Sequence, residues 1–224
     1  MLKEVRIMGL SATIHQHIRA FMKSNGYRRK GNRYYRIQDN LTFCIYFEQP
    51  TGVLYSGFCV IPLYIPTDVW YWTYGNRLNA FSSGALPALK VGADGTEVQD
   101  WVDGFLALLT NTIFPFFKDI SGTDELNRFL CNDFKVVRRY FFCPDIDLYR
   151  LGIYTSMAEG DRDAALQLLA NSDKMIEQSP HIQGYLRERY LREFYTLAAI
   201  SRQPEECEKF IRNTISDVSA FIEG

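Results

Sequence analysis

The chain has 224 residues, of which 47% are hydrophobic and 15% aromatic, so it can bury a core and lacks the composition of a disordered protein. Its net charge of -1 and pI near 6.3 argue against a general nucleic-acid binder, although residues 1–40 alone carry +7. Five cysteines without a C-x-x-C pair, no recognisable signal sequence and no long uncharged apolar run predict a cytoplasmic protein with free thiols.

The first third of the chain has the pattern of a helix followed by a small antiparallel sheet. Apolar residues at helical spacing predict a helix at about 11–24. Strands are predicted at 33–38, at 41–48 and within 53–65. Residues 41–48 alternate between apolar and polar, so one face of the first hairpin is expected to face solvent. Residues 53–65 are apolar almost throughout, which predicts a central strand buried on both faces.

A long amphipathic helix is predicted at 97–114. Thr96 and Gln99 fit a capping box, in which each side chain satisfies a free backbone N–H group at the start of the helix. Pro115 has no backbone N–H to donate, so it is expected to end or kink this helix.

A boundary between two domains is predicted at Pro144. Before it, a shorter helix is expected to begin at Thr123, and residues 133–143 fit either a strand or a helix. The sequence thus divides into an α+β sheet domain at 1–143 and a helical region at 145–224, which is expected to pack on the first domain.

Residues 145–222 resemble one helical hairpin written twice. Tyr154-Thr155 recurs as Tyr195-Thr196 at an offset of 41, and Ala165 recurs as Cys207 at an offset of 42. A period near 40 is typical of tetratricopeptide- and HEAT-like repeats, which usually bind other macromolecules. The four predicted helices span 145–159, 161–172, 180–200 and 204–222. The predicted fold class is α+β, with an N-terminal helix on a small antiparallel sheet, further helices and two C-terminal helical hairpins.

The most basic segment of the chain is the first predicted hairpin. Its five cations are Arg28, Arg29, Lys30, Arg33 and Arg36, and they interleave with Tyr27, Tyr34 and Tyr35. One interpretation is a solvated sheet edge, where cations discourage aggregation. A second is electrostatic docking of an acidic protein partner. A third is a single-stranded nucleic-acid platform, with cations on phosphates and tyrosines such as Tyr34 stacked on bases.

A second candidate binding segment is unusually aromatic. It contains Trp70, Tyr71, Trp72 and Tyr74, with Arg77 three residues further on. Aromatic residues and arginine dominate the hot spots of binding surfaces, so the segment could bind a sugar, a base or a peptide. The alternative is a segment that wraps over the sheet and caps the core.

The opening third resembles a known family. Gly26-Tyr27-Arg28-Arg29-Lys30-Gly31 follows the first helix, an aromatic strand comes next, and Gly75-Asn76-Arg77-Leu78 follows later. This arrangement, over about residues 10–130, resembles an uncharacterised bacterial family catalogued as domain of unknown function 4304. The resemblance implies an α+β fold and supplies no activity or catalytic residues. Small bacterial domains of this sort often occur beside toxin genes as immunity or accessory proteins.

Motifs for catalysis, metal binding or cofactor binding are not recognisable in the chain. His15 and His17 are two residues apart on a helix and so cannot share a metal ion, and His181 has no supporting ligand spacing. Two aspartate pairs, one at 145 and 147 and one at 161 and 163, lie at predicted helix starts, where capping explains them. No phosphate-binding glycine loop or nucleophile elbow is present. Neither a metal nor a cofactor is therefore expected.

The leading hypothesis is a non-enzymatic protein that binds another protein, as an immunity or accessory factor. The predicted contact residues are Arg28, Arg29, Lys30, Arg33, Tyr34, Trp70, Trp72, Tyr74 and Arg77. The first alternative is single-stranded nucleic-acid binding by the basic hairpin. The second is an enzyme with an unfamiliar site, which would require a pocket holding ionisable groups with perturbed pKa values.

Overall fold

The computed structural model describes residues 10–50, 52–67, 73–81, 86–179 and 182–224. A helix on an antiparallel sheet is followed by a helical second half, which confirms the predicted α+β fold. Within the described residues, the strands are β1 (Arg28–Lys30), β2 (Arg33–Gln38), β3 (Leu41–Glu48), β4 (Val53–Pro62), β5 (Gly75–Arg77) and β6 (Leu89–Lys90). Their order is β1-β2-β3-β4-β5, β6 pairs with β4, and neighbouring strands are antiparallel.

Helix α1 (Leu10–Ser24) confirms the first predicted element. Ile14, Ile18 and Met22 are spaced four residues apart, so they lie on one side of the helix, and all three are fully buried. The chain then turns through Gly26, whose positive φ of 80° suits glycine, and enters the first strand.

The expectation of a solvent-facing side on the first hairpin is wrong. Thr42, Cys44 and Tyr46 alternate with the apolar residues of β3 as predicted, yet all three are buried. Val218 and Ile222, near the end of the chain, belong to the same apolar cluster as Cys44 and Tyr46. A C-terminal helix therefore covers the face that was expected to be wet.

Strand β4 is central in the sheet, as its apolar sequence predicted. It pairs with β3 along its length on one side and with β5 on the other. At Gly75, an added Cβ atom would lie 1.9 Å from the carbonyl oxygen of Phe58. Only glycine allows β5 to approach β4 this closely.

The long helix begins at a different capping box from the predicted one. Asp94 accepts hydrogen bonds from the backbone N–H groups of the first turn, and Glu97 accepts one from the backbone of Asp94, so Thr96 and Gln99 do not form the box. Helix α3 (Gly95–Leu108) continues through a π-helical turn (Leu109–Ile113) into α4 (Phe114–Asp119). Pro115 therefore does not end the helix; a widened turn just before it shifts the hydrogen-bond register.

Two short helices follow before residue 144. Helix α5 (Thr123–Leu130) begins where predicted. The ambiguous segment forms helix α6 (Phe134–Tyr140), after which the N–H group of Phe142 donates to the carbonyl of Gly75 at 2.9 Å. A single apolar cluster includes Phe141 and Ile146, so the core continues across the predicted boundary at Pro144.

The C-terminal half consists of α7 (Asp145–Ala158), α8 (Arg162–Ala170), α9 (Ser172–Glu177), α10 (Tyr185–Ser201) and α11 (Pro204–Glu223). The predicted second helix, 161–172, corresponds to α8, and α9 is an additional short helix that was not predicted. Ala165 and Cys207, equivalent in the proposed repeat, are both buried. Tyr154 and Tyr195 are also equivalent, but their exposed fractions are 2% and 61%. Helix α7 is enclosed on both sides, whereas the corresponding face of α10 is open to solvent.

Candidate functional site

The basic hairpin holds the end of helix α11. Nη1 of Arg28 lies 3.1 Å from the carboxylate of Glu223, and both side chains are exposed. Nζ of Lys30 donates to the carbonyl oxygens of Phe221 and Ile222 at 3.4 and 3.1 Å. Cations are favourable where the last carbonyls of a helix have no intrahelical partner. Part of the predicted basic patch therefore satisfies the C-terminal turn of α11.

The tyrosines of the hairpin point into the protein. Tyr34 is 1% exposed and packs against His15, with ring centroids 5.4 Å apart. Tyr35 is buried on the opposite face, in the cluster that contains residues of α11. Neither ring presents a face on which a base could stack, so the geometry does not support the nucleic-acid platform. Of the remaining predicted cations, Arg29 and Arg33 flank the turn, and Nε of Arg29 donates to the carbonyl of Gly31.

The predicted aromatic segment and Arg77 do not form an exposed platform in the part of the chain that the structure describes. Trp70 and Trp72 lie outside the described residues. Tyr74 is buried in the main core, so it is not part of an exposed platform. Arg77 lies at the sheet edge, where it pairs with Glu48 at 2.9 Å and approaches the ring of Tyr55 at 5.0 Å.

A polar network joins α7 to α10 inside the helical half. Nε of Arg150 donates to Oε1 of Glu193 at 2.7 Å, and the hydroxyl of Tyr154 donates to the same oxygen at 2.8 Å. One turn away, the hydroxyl of Tyr190 donates to Asp147 at 2.7 Å. The α7 members are three and four residues apart, which aligns them on one face of the helix.

The network is largely withdrawn from solvent, since Arg150 is only 8% exposed. Burial raises the pKa of the Asp147 carboxyl above its usual value, although the hydrogen bond from Tyr190 opposes the shift. Burial and the neighbouring Glu193 raise the pKa of Tyr154, so its hydroxyl stays protonated. Burial alone would lower the pKa of Arg150, but Tyr74, Glu193 and Tyr154 reverse the direction. Tyr74 thus lies behind the network rather than on the surface.

A groove of about 380 Å³ opens above these side chains. We call it the α10 groove. Its lining residues come from α7, α10, α11 and the chain after β4: Pro66, Arg150, Tyr154, Tyr185, Arg189, Arg192, Glu193, Thr196, Leu197 and Phe210. The floor is a buried ion pair, the sides are largely apolar, and the rim carries exposed arginine and tyrosine side chains.

The open face of α10 extends the groove outward. Tyr185, which lines the groove, is 75% exposed. Leu186 and Tyr195 are also exposed but do not line it, and the hydroxyl of Tyr195 lies 3.3 Å from the carboxylate of Asp173. Arg189 and Arg192 are exposed on the same helix. Exposed tyrosine and arginine beside an apolar recess is the composition of a protein-binding hot spot.

Two other recesses are less distinctive. One, of about 690 Å³, lies beside residues 86–93 and Trp101. The other, of about 410 Å³, lies between α5, α6 and α7 and has mainly apolar walls with the exposed Cys131 at its edge. Neither contains a buried charged network like that of Arg150. Across the described ranges, no three histidine, cysteine, aspartate or glutamate side chains are grouped to hold a metal ion.

Sequence reasoning missed this site. Arg150 and Glu193 are 43 residues apart, and neither belongs to a motif. Tyr154 stands out in the sequence only as a repeat position. The available signal was a single arginine on the apolar face of a helix, which is costly to bury unless it is paired. Its partner could not be identified before the packing of α10 on α7 was known.

Comparison with family models, curated proteins and solved structures finds no significant match for this chain. The resemblance to domain of unknown function 4304 therefore stays a prediction. Among the described helices, none is both long enough and apolar enough to cross a membrane.

Proposed function

We propose that this chain is a non-enzymatic binding protein that recognises another protein through the α10 groove. The observation that carries the proposal is the exposed face of α10, where Tyr185, Arg189 and Arg192 lie beside an apolar recess. The equivalent face of α7 is covered by the rest of the protein. Helical repeat proteins use open helix faces of this kind as binding surfaces.

The buried network supports a binding role. Arg150, Glu193 and Tyr154 satisfy one another and hold α7 and α10 in one relative position. A preorganised groove binds at a lower cost in conformational entropy than a flexible surface. Small bacterial domains like the family that residues 10–130 resemble often occur beside toxin genes, and we therefore propose an immunity or accessory role for this chain.

The proposal is tested by affinity capture of the tagged protein from lysate of its source, with and without nuclease, followed by mass spectrometry. One stoichiometric protein partner is expected with the wild type. Tyr185→Ala should reduce its recovery strongly, because this exposed ring lines the groove. Phe142→Ala is the matched control, since this ring is 77% exposed but does not line the groove.

Two results would contradict the proposal. Equal recovery with the tyrosine variant would place the binding surface elsewhere. Nucleic acid that co-purifies before nuclease treatment, with no protein partner, would favour the basic hairpin instead. Its binding should then weaken steeply as the salt concentration rises.

A further inference from the structure

We infer that the α10 groove binds an acidic segment of its partner, with a carboxylate held at the arginine rim and an apolar neighbour in the recess. This inference rests on the proposed function and adds the chemistry of the partner.

The charge of the groove favours an anion. Arg150, Arg189 and Arg192 line it, and Glu193 is the one acidic side chain in the lining. Glu193 already accepts hydrogen bonds from Arg150 and Tyr154, so its charge is offset within the network. The charge of Arg189 also acts on the nearby carboxylate of Asp147. The three arginines outnumber the carboxylates of Glu193 and Asp147, so the groove keeps a net positive charge that favours a charge-assisted hydrogen bond to a carboxylate.

The arrangement along α10 favours an extended chain. Tyr185, Arg189, Arg192 and Thr196 follow one another at spacings of four, three and four residues. Residues at these spacings form a row on one face of a helix. A carboxylate can therefore contact two guanidinium groups in the row while the adjoining backbone lies alongside Tyr185.

The size and walls of the groove favour a carboxylate next to an apolar side chain. A space of about 380 Å³ accommodates one or two side chains, and Leu197, Phe210 and Pro66 supply apolar walls. These features favour a partner segment in which an acidic residue is adjacent to leucine or phenylalanine.

The test uses fluorescence anisotropy with the full chain and three labelled peptides of the form Gly-Ser-X-Leu-X-Phe-Gly, in which X is Glu, Gln or phosphoserine. The Glu peptide should bind at least about tenfold more tightly than the Gln peptide, a difference of roughly 1.4 kcal/mol. Arg189→Glu/Arg192→Glu should remove this preference. Arg202→Glu/Arg212→Glu is the control, because it changes the net charge equally at exposed positions outside the groove.

Equal binding of the Glu and Gln peptides, or no binding of the Glu peptide, would overturn the inference. Tighter binding of the phosphoserine peptide would overturn the choice of a carboxylate. If these results occur while Tyr185→Ala still loses the captured partner, the protein-binding function stands and only the acidic specificity fails. If the tyrosine variant retains the partner, the proposed function itself is wrong.

Discussion

Protonation of His15 will destabilise the fold below pH 6.5. The imidazole lies between the rings of Tyr34 and Phe47, at centroid distances of 5.4 and 5.1 Å, and is 2% exposed. Burial and then the nearby charge of Arg29 lower its pKa from 6.5 to about 4, while the side chain of Asn32 opposes the shift. The charged form is therefore much less stable in the folded protein than in the unfolded chain.

The sign and size of the effect follow from the difference in proton binding. Between pH 6.5 and about 4, the unfolded chain binds a proton at His15 and the folded protein does not. The contribution to the free energy of unfolding is complete above pH 6.5 and decreases by about 1.4 kcal/mol for each pH unit below it. By pH 4, the loss reaches roughly 3 kcal/mol.

The assay is urea unfolding of the wild type and His15→Phe at several values between pH 7.5 and 4. Asp147 and Glu159, whose pKa values are raised by burial, titrate in both proteins, so their effect cancels in the difference. His17→Gln, at an exposed position of the same helix, is the control and should retain the wild-type slope. Parallel pH profiles for the wild type and His15→Phe would refute the reasoning.

Three further predictions test the packing of the helical half and the sheet. Arg150→Leu leaves Glu193 without its charge partner and should lower the free energy of unfolding by about 3 kcal/mol. Arg150→Leu/Glu193→Leu should recover much of this lost stability. Equal losses for the single and double variants in urea unfolding would show that the pairing is unimportant. Cys131 is exposed and the other four cysteines are buried, so a thiol reagent should modify one group quickly, and Cys131→Ser should abolish this fast phase. Gly75→Ala should lower the free energy of unfolding by more than about 2 kcal/mol, because the added Cβ atom would clash with the backbone at Phe58. An unchanged thermal midpoint would contradict the packing of β5 on β4.

Local elements were largely predictable because short-range interactions decide them. The apolar spacing of α1, the strands at 33–38 and 41–48, and the helix from Thr123 all appear as expected. The cap of the long helix was predicted wrongly because two nearby sets of residues can form a capping box. Asp94 and Glu97 form the cap rather than Thr96 and Gln99, since the carboxylates accept the free N–H groups of the first turn.

The residue pattern could not predict which faces of the elements are exposed to solvent. The alternation in β3 correctly separated its two faces, but α11 covers both Cys44 and Tyr46 on the second face. The cover comes from far along the chain: the contact between Arg28 and Glu223 spans 195 residues. The alternation in a strand shows which residues share a face. Whether that face is exposed to solvent depends on whether another element packs against it.

The candidate site also depends on contacts between residues that are far apart in the sequence. Basic and aromatic residues that are clustered in sequence, such as Lys30 and Tyr34, form internal contacts because the hairpin lies between α1 and α11. Arg150 and Glu193, ordinary in sequence, became a buried pair when α10 packed on α7. Composition and periodicity established the secondary structure and the α+β class. Tertiary packing decided which charges are paired and which helix face remains open, because burial depends on distant partners that local patterns do not encode.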